Sequence, residues 1–256
     1  MTPNIEAIFI DLGNTLRMLV KDKAHMARAR QEIVRLVGTD EDPVEFCAKL
    51  DERYKVYRKW AFENLTEASE AELWTRWLVP EFPSEKIALL GGELTYQFRQ
   101  SMGRRVVVEN GKEVVIELHR RGYTLGIISN LIGKREIPDW LVEDGFSPYF
   151  MSVVLSSVFG KRKPDPAIYL EGARRAGVEP ANCVYIGDNL KRDVTGTRTA
   201  GFGMVVIMIS PEELAKETIT DENRPDVIIH EFRQLLDIFP GRNQVTLSKT
   251  GGRLEA

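Results

Sequence analysis

Short apolar runs alternate with helix-like segments along most of this chain. Residues 5–10 form an apolar run that is broken only by Glu6. A continuous run of this length is typical of a strand buried on both faces of a parallel sheet. Similar runs recur at residues 124–128, 151–155, 183–186, 204–209 and 227–229.

Helical periods lie between the later apolar runs, and each ends before a glycine. The three segments are 114–121, 167–176 and 190–200, followed by Gly122, Gly177 and Gly201. A glycine in this position commonly ends a helix. Strands that alternate with helices predict an α/β fold, here a Rossmann-like parallel sheet with helices on both faces.

One long stretch interrupts this alternation, because from about residue 21 to residue 104 only helical periods occur. We therefore expect an all-helical cap at 17–104, inserted after the first strand. The catalytic core is expected at 1–16 and 105–240. The polar, glycine-bearing segment 241–256 is expected to be a flexible tail.

Composition narrows the classes of function. The chain has 256 residues, of which 43% are hydrophobic and 29% charged, as in a globular protein. A net charge of -3 gives no sign of a nucleic-acid surface. No apolar stretch approaches the roughly 20 residues that a membrane span needs. Two cysteines, Cys47 and Cys183, cannot form a disulfide framework, so we expect a reducing cytoplasm.

Residues whose side chains could take part in catalysis or metal binding follow the predicted strands. Asp11 ends the first strand, Ser129 and Asn130 end the second, and Lys163 follows the third. Gly187 and Asp188 end the fourth, and Asp193 lies five residues further on. Function in open parallel sheets collects at the carboxyl ends of the strands. Clustered acids there suit Mg²⁺, while a lysine and a hydroxyl suit phosphoryl oxygens.

These four segments, in this order, resemble the haloacid dehalogenase-like hydrolase superfamily, in the subgroup with a helical cap after the first strand. The likeness spans about residues 5–239. The segments that carry it are Asp11-Leu12-Gly13-Asn14-Thr15-Leu16, Ser129-Asn130, Lys163-Pro164-Asp165-Pro166 and Gly187-Asp188 with Asp193. Each segment alone is a weak signal, but all four after strands, with the insert in place, form a specific one.

The resemblance implies a Mg²⁺-dependent phosphatase that acts on a small phosphorylated metabolite. Asp11 would be the nucleophile and form an aspartyl-phosphate. Asp188, Asp11 and the backbone carbonyl of Gly13 would bind Mg²⁺. Asp193 would support these ligands or orient Lys163.

The resemblance also implies how the phosphoryl group would be held. Ser129 would donate a hydrogen bond to a phosphoryl oxygen, and Lys163 would balance charge there and on Asp11. Asn130 would bind substrate or cap the following turn. Lys161 and Arg162 are expected to be solvated.

The chain departs from the family pattern at Gly13, where phosphatases of the family usually carry a second aspartate. That aspartate protonates the leaving oxygen and later activates water. Its absence should cost on the order of 10²–10⁴ in rate unless another group substitutes. His25 lies near the first hinge, but a solvated helix position is favoured. We therefore expect a preference for good leaving groups, as in aryl phosphates, acyl phosphates or anhydrides.

Alternative functions stay open at this point. Dehalogenases of the superfamily also lack the second aspartate, but they need no metal, and Asp188 counts against carbon–halogen cleavage. Phosphonate hydrolysis would need a cap lysine, for which Lys49, Lys55 and Lys59 are candidates. A catalytically weak binding protein that keeps the metal site is the third alternative.

The insert is rich in aromatic residues, including Trp60, Trp74 and Trp77. We expect them to form the core of the cap rather than a stacking platform for substrate. An exposed aromatic face on the cap could serve a homodimer.

Overall fold

The computed structural model describes residues 4–242, so residues 243–256 of the predicted tail lie outside the described residues. A parallel sheet forms the centre, in the strand order β5-β4-β1-β6-β7-β8. The strands are β1 (Ala7–Ile10), β2 (Arg17–Val20), β3 (Arg104–Val107), β4 (Thr124–Ser129), β5 (Phe150–Leu155), β6 (Cys183–Gly187), β7 (Met204–Met208) and β8 (Val227–Ile229).

All six strands predicted from apolar runs are present in this sheet, within two residues of their expected ends. β1 is central and wholly buried, with Ile10 opposite Ile127 of β4 and Ile186 of β6. The residues that follow Ile10, Ile128 and Ile186 therefore meet at one edge of the sheet. That edge is the one at which the sequence predicts the site residues.

Helices cover both faces of the sheet and form the insert. The helices of the insert are α1 (Lys23–Val37), α2 (Pro43–Asn64), α3 (Glu70–Glu72), a π-helical turn (Leu73–Leu78) and α4 (Ser84–Ser101). The helices after the insert are α5 (Gly111–Arg120), α6 (Glu136–Glu143), α7 (Ser156–Phe159), α8 (Pro166–Ala176), α9 (Leu190–Thr199), α10 (Pro211–Leu214) and α11 (Leu235–Ile238). Short 3₁₀ turns span Pro180–Asn182 and Phe232–Gln234.

Close packing of helix on sheet demands glycine at two points. A Cβ on Gly126 of β4 would lie 2.5 Å from the ring of Phe9, and one on Gly172 of α8 would lie 2.7 Å from Ile128. Both distances are below van der Waals contact. The missing side chain of Gly172 lets α8 sit this close to the sheet, and that of Gly126 leaves room for the Phe9 ring of β1.

The cap has a hydrophobic core of its own. Trp74 and Tyr57 are fully buried within it. Trp60 and Trp77 pack against this core, and the centroids of their two rings lie 4.8 Å from each other. This agrees with the expectation that the aromatic residues build the cap. α4 continues through Gly91, where a Cβ would lie 3.0 Å from the backbone of Ala71.

A two-stranded antiparallel ribbon carries the chain into and out of the cap. β2 pairs with β3, with Arg17 opposite Val107 and Val20 opposite Arg104. The sequence predicted the start of a helical insert at residues 17–20, and the structure has a strand there instead. The pairing of β2 depends on a segment more than 80 residues away, which local helical periods cannot reveal.

A second junction joins cap to core beside the Lys163 loop. The carboxylate of Glu67 accepts hydrogen bonds from Tyr57 of the cap and from Ser156 of the core, the latter at 2.8 Å. Arg162 lies 3.4 Å from the same carboxylate and is buried, so the expectation that it is solvated is wrong. Lys161 is half exposed, as expected. Burial of Arg162 follows from its pairing with Glu67, because a buried guanidinium requires a partner.

Both cysteines are free and buried. Burial raises the pKa of Cys47 to about 11 and that of Cys183 to about 12, so neither thiol ionises readily near neutral pH. Within residues 4–242, every helix is too short or too polar to span a bilayer.

Candidate active site

The predicted site residues meet at the carboxyl edge of the sheet. Asp11 follows β1 and is buried, and both of its oxygens are held by neighbours. Oδ1 accepts hydrogen bonds from the Ser129 hydroxyl and from the backbone N–H of Leu12, each at 2.8 Å. Oδ2 lies 2.6 Å from the ammonium of Lys163. These contacts fix the orientation of the carboxylate that the sequence nominated as nucleophile.

Lys163 is fully buried and joins two carboxylates. Its Nζ lies 2.6 Å from Asp11 Oδ2 and 3.3 Å from Asp193 Oδ1. Nζ also donates a hydrogen bond to the hydroxyl of Tyr185, which in turn donates to the Ile128 carbonyl at 3.0 Å. A buried ammonium is tolerated when charged and polar partners surround it in this way.

Asn130 holds the backbone of the Lys163 loop. Its Oδ1 accepts the Lys163 N–H at 2.8 Å, and its Nδ2 donates to the Lys163 carbonyl at 3.0 Å. The pair of bonds orients Lys163 toward Asp11. Asn130 therefore connects the end of β4 to the loop that carries the ammonium, and it also lines the cavity described below.

Arg192 is a site residue that the sequence analysis missed, as it missed the cavity arginines described below. Its Nη2 lies 2.8 Å from Asp188 Oδ1, 2.9 Å from Asp193 Oδ2 and 3.3 Å from Asp11 Oδ2. One guanidinium thus touches all three carboxylates. The signal that could have revealed it is spacing, because Arg192 stands four residues after Asp188 at the start of α9, where side chains share a face.

The charges in this cluster shift the acidity of its members. Burial alone would raise the pKa of Asp193, but Lys163 and Arg192 together lower it to about 2. Burial and then the neighbouring Asp11 raise the pKa of Asp188. Burial would lower the pKa of Arg192, yet Asp193 and the other carboxylates raise it. Arg192 thus stays charged, and three acids face two cationic groups.

The same cluster has the donor set of a divalent-cation site. Asp11, Asp188 and Asp193 each offer a carboxylate oxygen, and these oxygens lie within 4.8 Å of one another. Hard cations such as Mg²⁺ take oxygen ligands of this kind. The donors fit such an ion, although the Arg192 guanidinium already lies among them.

The turn after Asp11 leaves open space at Gly13. A Cβ there would meet no atom within 4 Å, and the backbone of Gly13 is not left-handed. The next residue, Asn14, has a φ of 55° and donates from Nδ2 to Asp188 Oδ2 at 3.0 Å. A Cβ at position 13 would therefore fit without displacing a neighbour.

A cavity of about 210 Å³ lies beside this centre, and both core and cap contribute to its lining. Its lining includes Gly13, Ser129 and Asn130 from the core. Within residues 4–242, no carboxyl or imidazole group belongs to this lining. His25 instead hydrogen-bonds to Gln100. The cavity therefore offers no evident substitute for a proton donor at Gly13.

The candidate cap lysines lie elsewhere. Lys49, Lys55 and Lys59 are exposed and pair with glutamates on the cap surface, and none lines the cavity. A Schiff base with a substrate in this cavity would need a lysine in its lining, so this geometry counts against phosphonate hydrolysis of that type.

Three arginines line the same cavity: Arg17 of β2, Arg99 of α4 and Arg105 of β3. Among the described residues, Glu136 of α6 is the carboxylate that pairs with them. Arg17 Nη1 lies 2.9 Å from Glu136 Oε1, Arg99 Nε contacts Oε2, and Arg105 Nε lies 3.8 Å from Oε1. Arg17 also stacks on Trp140 at 4.7 Å.

A family model confirms the resemblance that the motifs indicated. The model described as "haloacid dehalogenase-like hydrolase" matches residues 5–201, well over half of the chain. The chain belongs to the haloacid dehalogenase-like hydrolase family. The residues of the site described above all lie within the matched segment.

Several curated relatives of this haloacid dehalogenase-like hydrolase are named as phosphatases. It is 35% identical over 127 residues to a glyceraldehyde 3-phosphate phosphatase of Methanopyrus kandleri, a match that covers 48% of this chain and 52% of the relative. The chain therefore spans about half the length of that relative. A glyceraldehyde 3-phosphate phosphatase of Pyrococcus furiosus is 24% identical over 93% of this chain and 95% of its own.

A solved structure supports the fold of this hydrolase. The 2-haloacid dehalogenase from Pseudomonas syringae pv. Tomato superposes with a TM-score of 0.66 and 21% identity, covering 91% of this chain and 97% of that one. At this identity the likeness shows the shared architecture, a Rossmann-like parallel sheet with a helical cap.

We predict that Glu136→Gln destabilises this hydrolase by about 3 kcal/mol, because it leaves buried guanidinium groups without their counter-ion. Burial would raise the pKa of Glu136, but Arg99, Arg105 and Arg17 lower it to about 2. A lowered pKa stabilises the fold above the ordinary glutamate value of 4.5, and this stabilisation is lost as pH falls toward about 2. Urea unfolding at several pH values measures the difference.

Glu117→Gln is the matched control, because Glu117 pairs with Arg120 and Arg121 outside the buried cluster. It should leave the unfolding midpoint nearly unchanged. Equal midpoints for the Glu136 and Glu117 variants would show that the buried cluster does not depend on Glu136.

Proposed function

We propose that this protein is a Mg²⁺-dependent phosphatase that acts on a small phosphorylated metabolite through an aspartyl-phosphate on Asp11. The observation that carries this proposal is the convergence of Ser129 and Lys163 on the two oxygens of the Asp11 carboxylate. The phosphatase names of the relatives support the same reaction class. The cavity of about 210 Å³ favours a small substrate.

In the proposed reaction, an Asp11 oxygen forms a bond to phosphorus as the bond from phosphorus to the leaving oxygen breaks. Lys163 pairs with Asp11 and balances the charge that the transferring group brings. The Ser129 hydroxyl, which donates to Asp11 in the free site, is placed to donate to a phosphoryl oxygen instead. Water then attacks phosphorus, which releases phosphate and restores Asp11.

Asp11, Asp188 and the carbonyl of Gly13 would hold Mg²⁺, with Asp193 orienting Lys163 and Arg192 around them. When bound, the ion would neutralise charge on the phosphoryl oxygens. The three-carboxylate donor set supports this assignment. Asp188 also weighs against carbon–halogen cleavage, which needs no metal ligand at that position.

We predict that Asp11→Asn abolishes turnover of p-nitrophenyl phosphate, because an amide cannot act as the nucleophile. Phosphate release in the presence and absence of Mg²⁺ measures the effect. Mass spectrometry of acid-quenched wild type should detect one added phosphoryl group, and the variant should lack it. Asp165→Asn is the control, because Asp165 caps α8 and does not contact Asp11. Full activity in Asp11→Asn would refute the covalent mechanism.

A second prediction concerns the missing proton donor. Gly13→Asp should raise turnover of alkyl phosphates on the order of 10²-fold, since general acid catalysis typically contributes that much or more. The space around Gly13 accepts at least the Cβ of the new side chain. Gly13→Asn has nearly the same shape without an acidic proton and should give no gain. If both variants behave alike, protonation of the leaving group does not limit the reaction.

Arg192 should compete with Mg²⁺, because its guanidinium contacts each of the three carboxylates. We predict that Arg192→Gln raises Mg²⁺ affinity on the order of tenfold, since it removes one positive charge from the site. Calorimetric titration of the wild type and the variant with Mg²⁺ measures this directly. Lys191→Gln changes the same charge at an exposed neighbour and should have little effect. Unchanged or weaker affinity in Arg192→Gln would contradict the competition.

A further inference from the structure

The cavity beside Gly13 and Ser129 is strongly cationic in a way that the proposed chemistry does not use. Arg17, Arg99 and Arg105 line it, and within the described part of the chain no acid shares the lining. Lys163 and Arg192 already serve Asp11. The three arginines are therefore additional positive groups in the space that the leaving group would occupy.

The arginine cluster carries an excess of positive charge. Glu136 supplies one negative charge against three guanidinium groups, and it contacts them from α6 rather than from the cavity. The contacts are unequal. Arg105 is the loosest partner, with its Nε at 3.8 Å from Glu136, and its Nη1 donates instead to the Arg99 carbonyl at 2.9 Å. Among the described residues, no second carboxylate forms an ion pair with these three largely buried guanidinium groups, although Asp139, Glu143 and Asp144 line a neighbouring cavity with Arg17 and Arg105.

Two further observations favour the binding of an anion at these arginines. Among the described residues, the buried Nε of Arg17 has no hydrogen-bond partner. Burial and the adjacent Arg99 lower the pKa of Arg105 to about 10, as expected where like charges are crowded together. Buried polar groups are normally satisfied, and crowded guanidinium groups are costly without a partner. The unpartnered Arg17 Nε and the crowded guanidinium groups would both be stabilised by a bound anion.

We propose that Arg17, Arg99 and Arg105 form a subsite for a second oxyanion, a carboxylate or a phosphate, on the leaving group of the substrate. Guanidinium groups bind such oxyanions through paired N–H donors. The contact that Arg17 and Arg99 make with the Glu136 carboxylate is the same chemistry in an internal form. The inference rests on the proposed phosphatase reaction and adds the substrate class to it.

The subsite also bears on the absence of an acid at Gly13. Negative charge develops on the leaving oxygen as its bond to phosphorus breaks, and the arginines line the cavity into which that oxygen departs. Fixed positive charge stabilises such an oxygen without a proton transfer. A substrate anchored by its own oxyanion would bring the leaving oxygen into this field.

A matched pair of substrates tests the subsite. We compare kcat/KM for 3-carboxyphenyl phosphate and for 3-carbamoylphenyl phosphate, which differ in charge but little in size. The wild type should prefer the carboxylate by about 10- to 100-fold, the range expected for charge-assisted hydrogen bonds. In the second arm, kcat/KM for 1,3-phenylene bisphosphate is compared with that for the same carbamoyl substrate. The oxyanion that gives the larger preference over the carbamoyl group, carboxylate or phosphate, is the one that the subsite binds.

Variants locate the preference on the subsite. In Arg105→Gln the ratio of carboxylate to carbamoyl substrate should fall toward one. Arg104→Gln is the matched control, because Arg104 is the exposed neighbour on β3 and does not line this cavity. It should keep the wild-type ratio. If Arg105→Gln unfolds, Arg99→Lys, which keeps the charge but not the paired donors, provides the second variant.

Binding without turnover separates this inference from the phosphatase proposal. The inert analogues 3-carboxybenzylphosphonate and 3-carbamoylbenzylphosphonate are titrated by calorimetry into the wild type and into Arg105→Gln. Tighter binding of the carboxylate, lost in the variant, supports the subsite even where no phosphate ester is hydrolysed. Asp11-dependent hydrolysis of p-nitrophenyl phosphate without any preference for an oxyanion, in kinetics or in binding, overturns the subsite and leaves the phosphatase standing.

Discussion

The buried ion pair between Lys163 and Asp11 is the contact on which the rest of the site depends. A fully buried ammonium is tolerated only with partners around it, and Asp11, Asp193 and Tyr185 are those partners. Each partner comes from a different part of the core, so the pair holds the loop after β5 against the ends of β1 and β6. The same contact orients the Asp11 carboxylate. One ion pair thus both holds these segments of the core together and orients the proposed nucleophile.

Two charge clusters of opposite sign meet at the site, and the ion pair belongs to the negative one. On one side three carboxylates face two cationic groups, and on the other three guanidinium groups face Glu136. A phosphoryl group is negative and its cofactor ion is positive, so each cluster is complementary to a different part of the proposed reaction. The structure separates the two requirements in space while keeping both within reach of one cavity.

The sequence predicted the fold class, the parallel strands and the residues at their ends, because each of these depends on a local pattern. Asp11, Ser129 and Asp188 are all found this way, since parallel strands bring their carboxyl ends to one edge. The ribbon of β2 and β3, the pairing of Arg17 with Glu136 and that of Arg162 with Glu67 depend on contacts between distant segments. No local pattern encodes them. The cytoplasmic location and the homodimer stay predictions.

The burial of both cysteines has a practical consequence. Cys47 lies in the cap and Cys183 in the core, and neither presents an ionisable thiol to solvent. A cysteine introduced at Leu89, which is 89% exposed on α4, would therefore react with a dye far faster than the native ones. A second label at Met151 on the core would complete a fluorescent pair. A change in the distance between cap and core could then be followed in real time in a protein that keeps its natural cysteines.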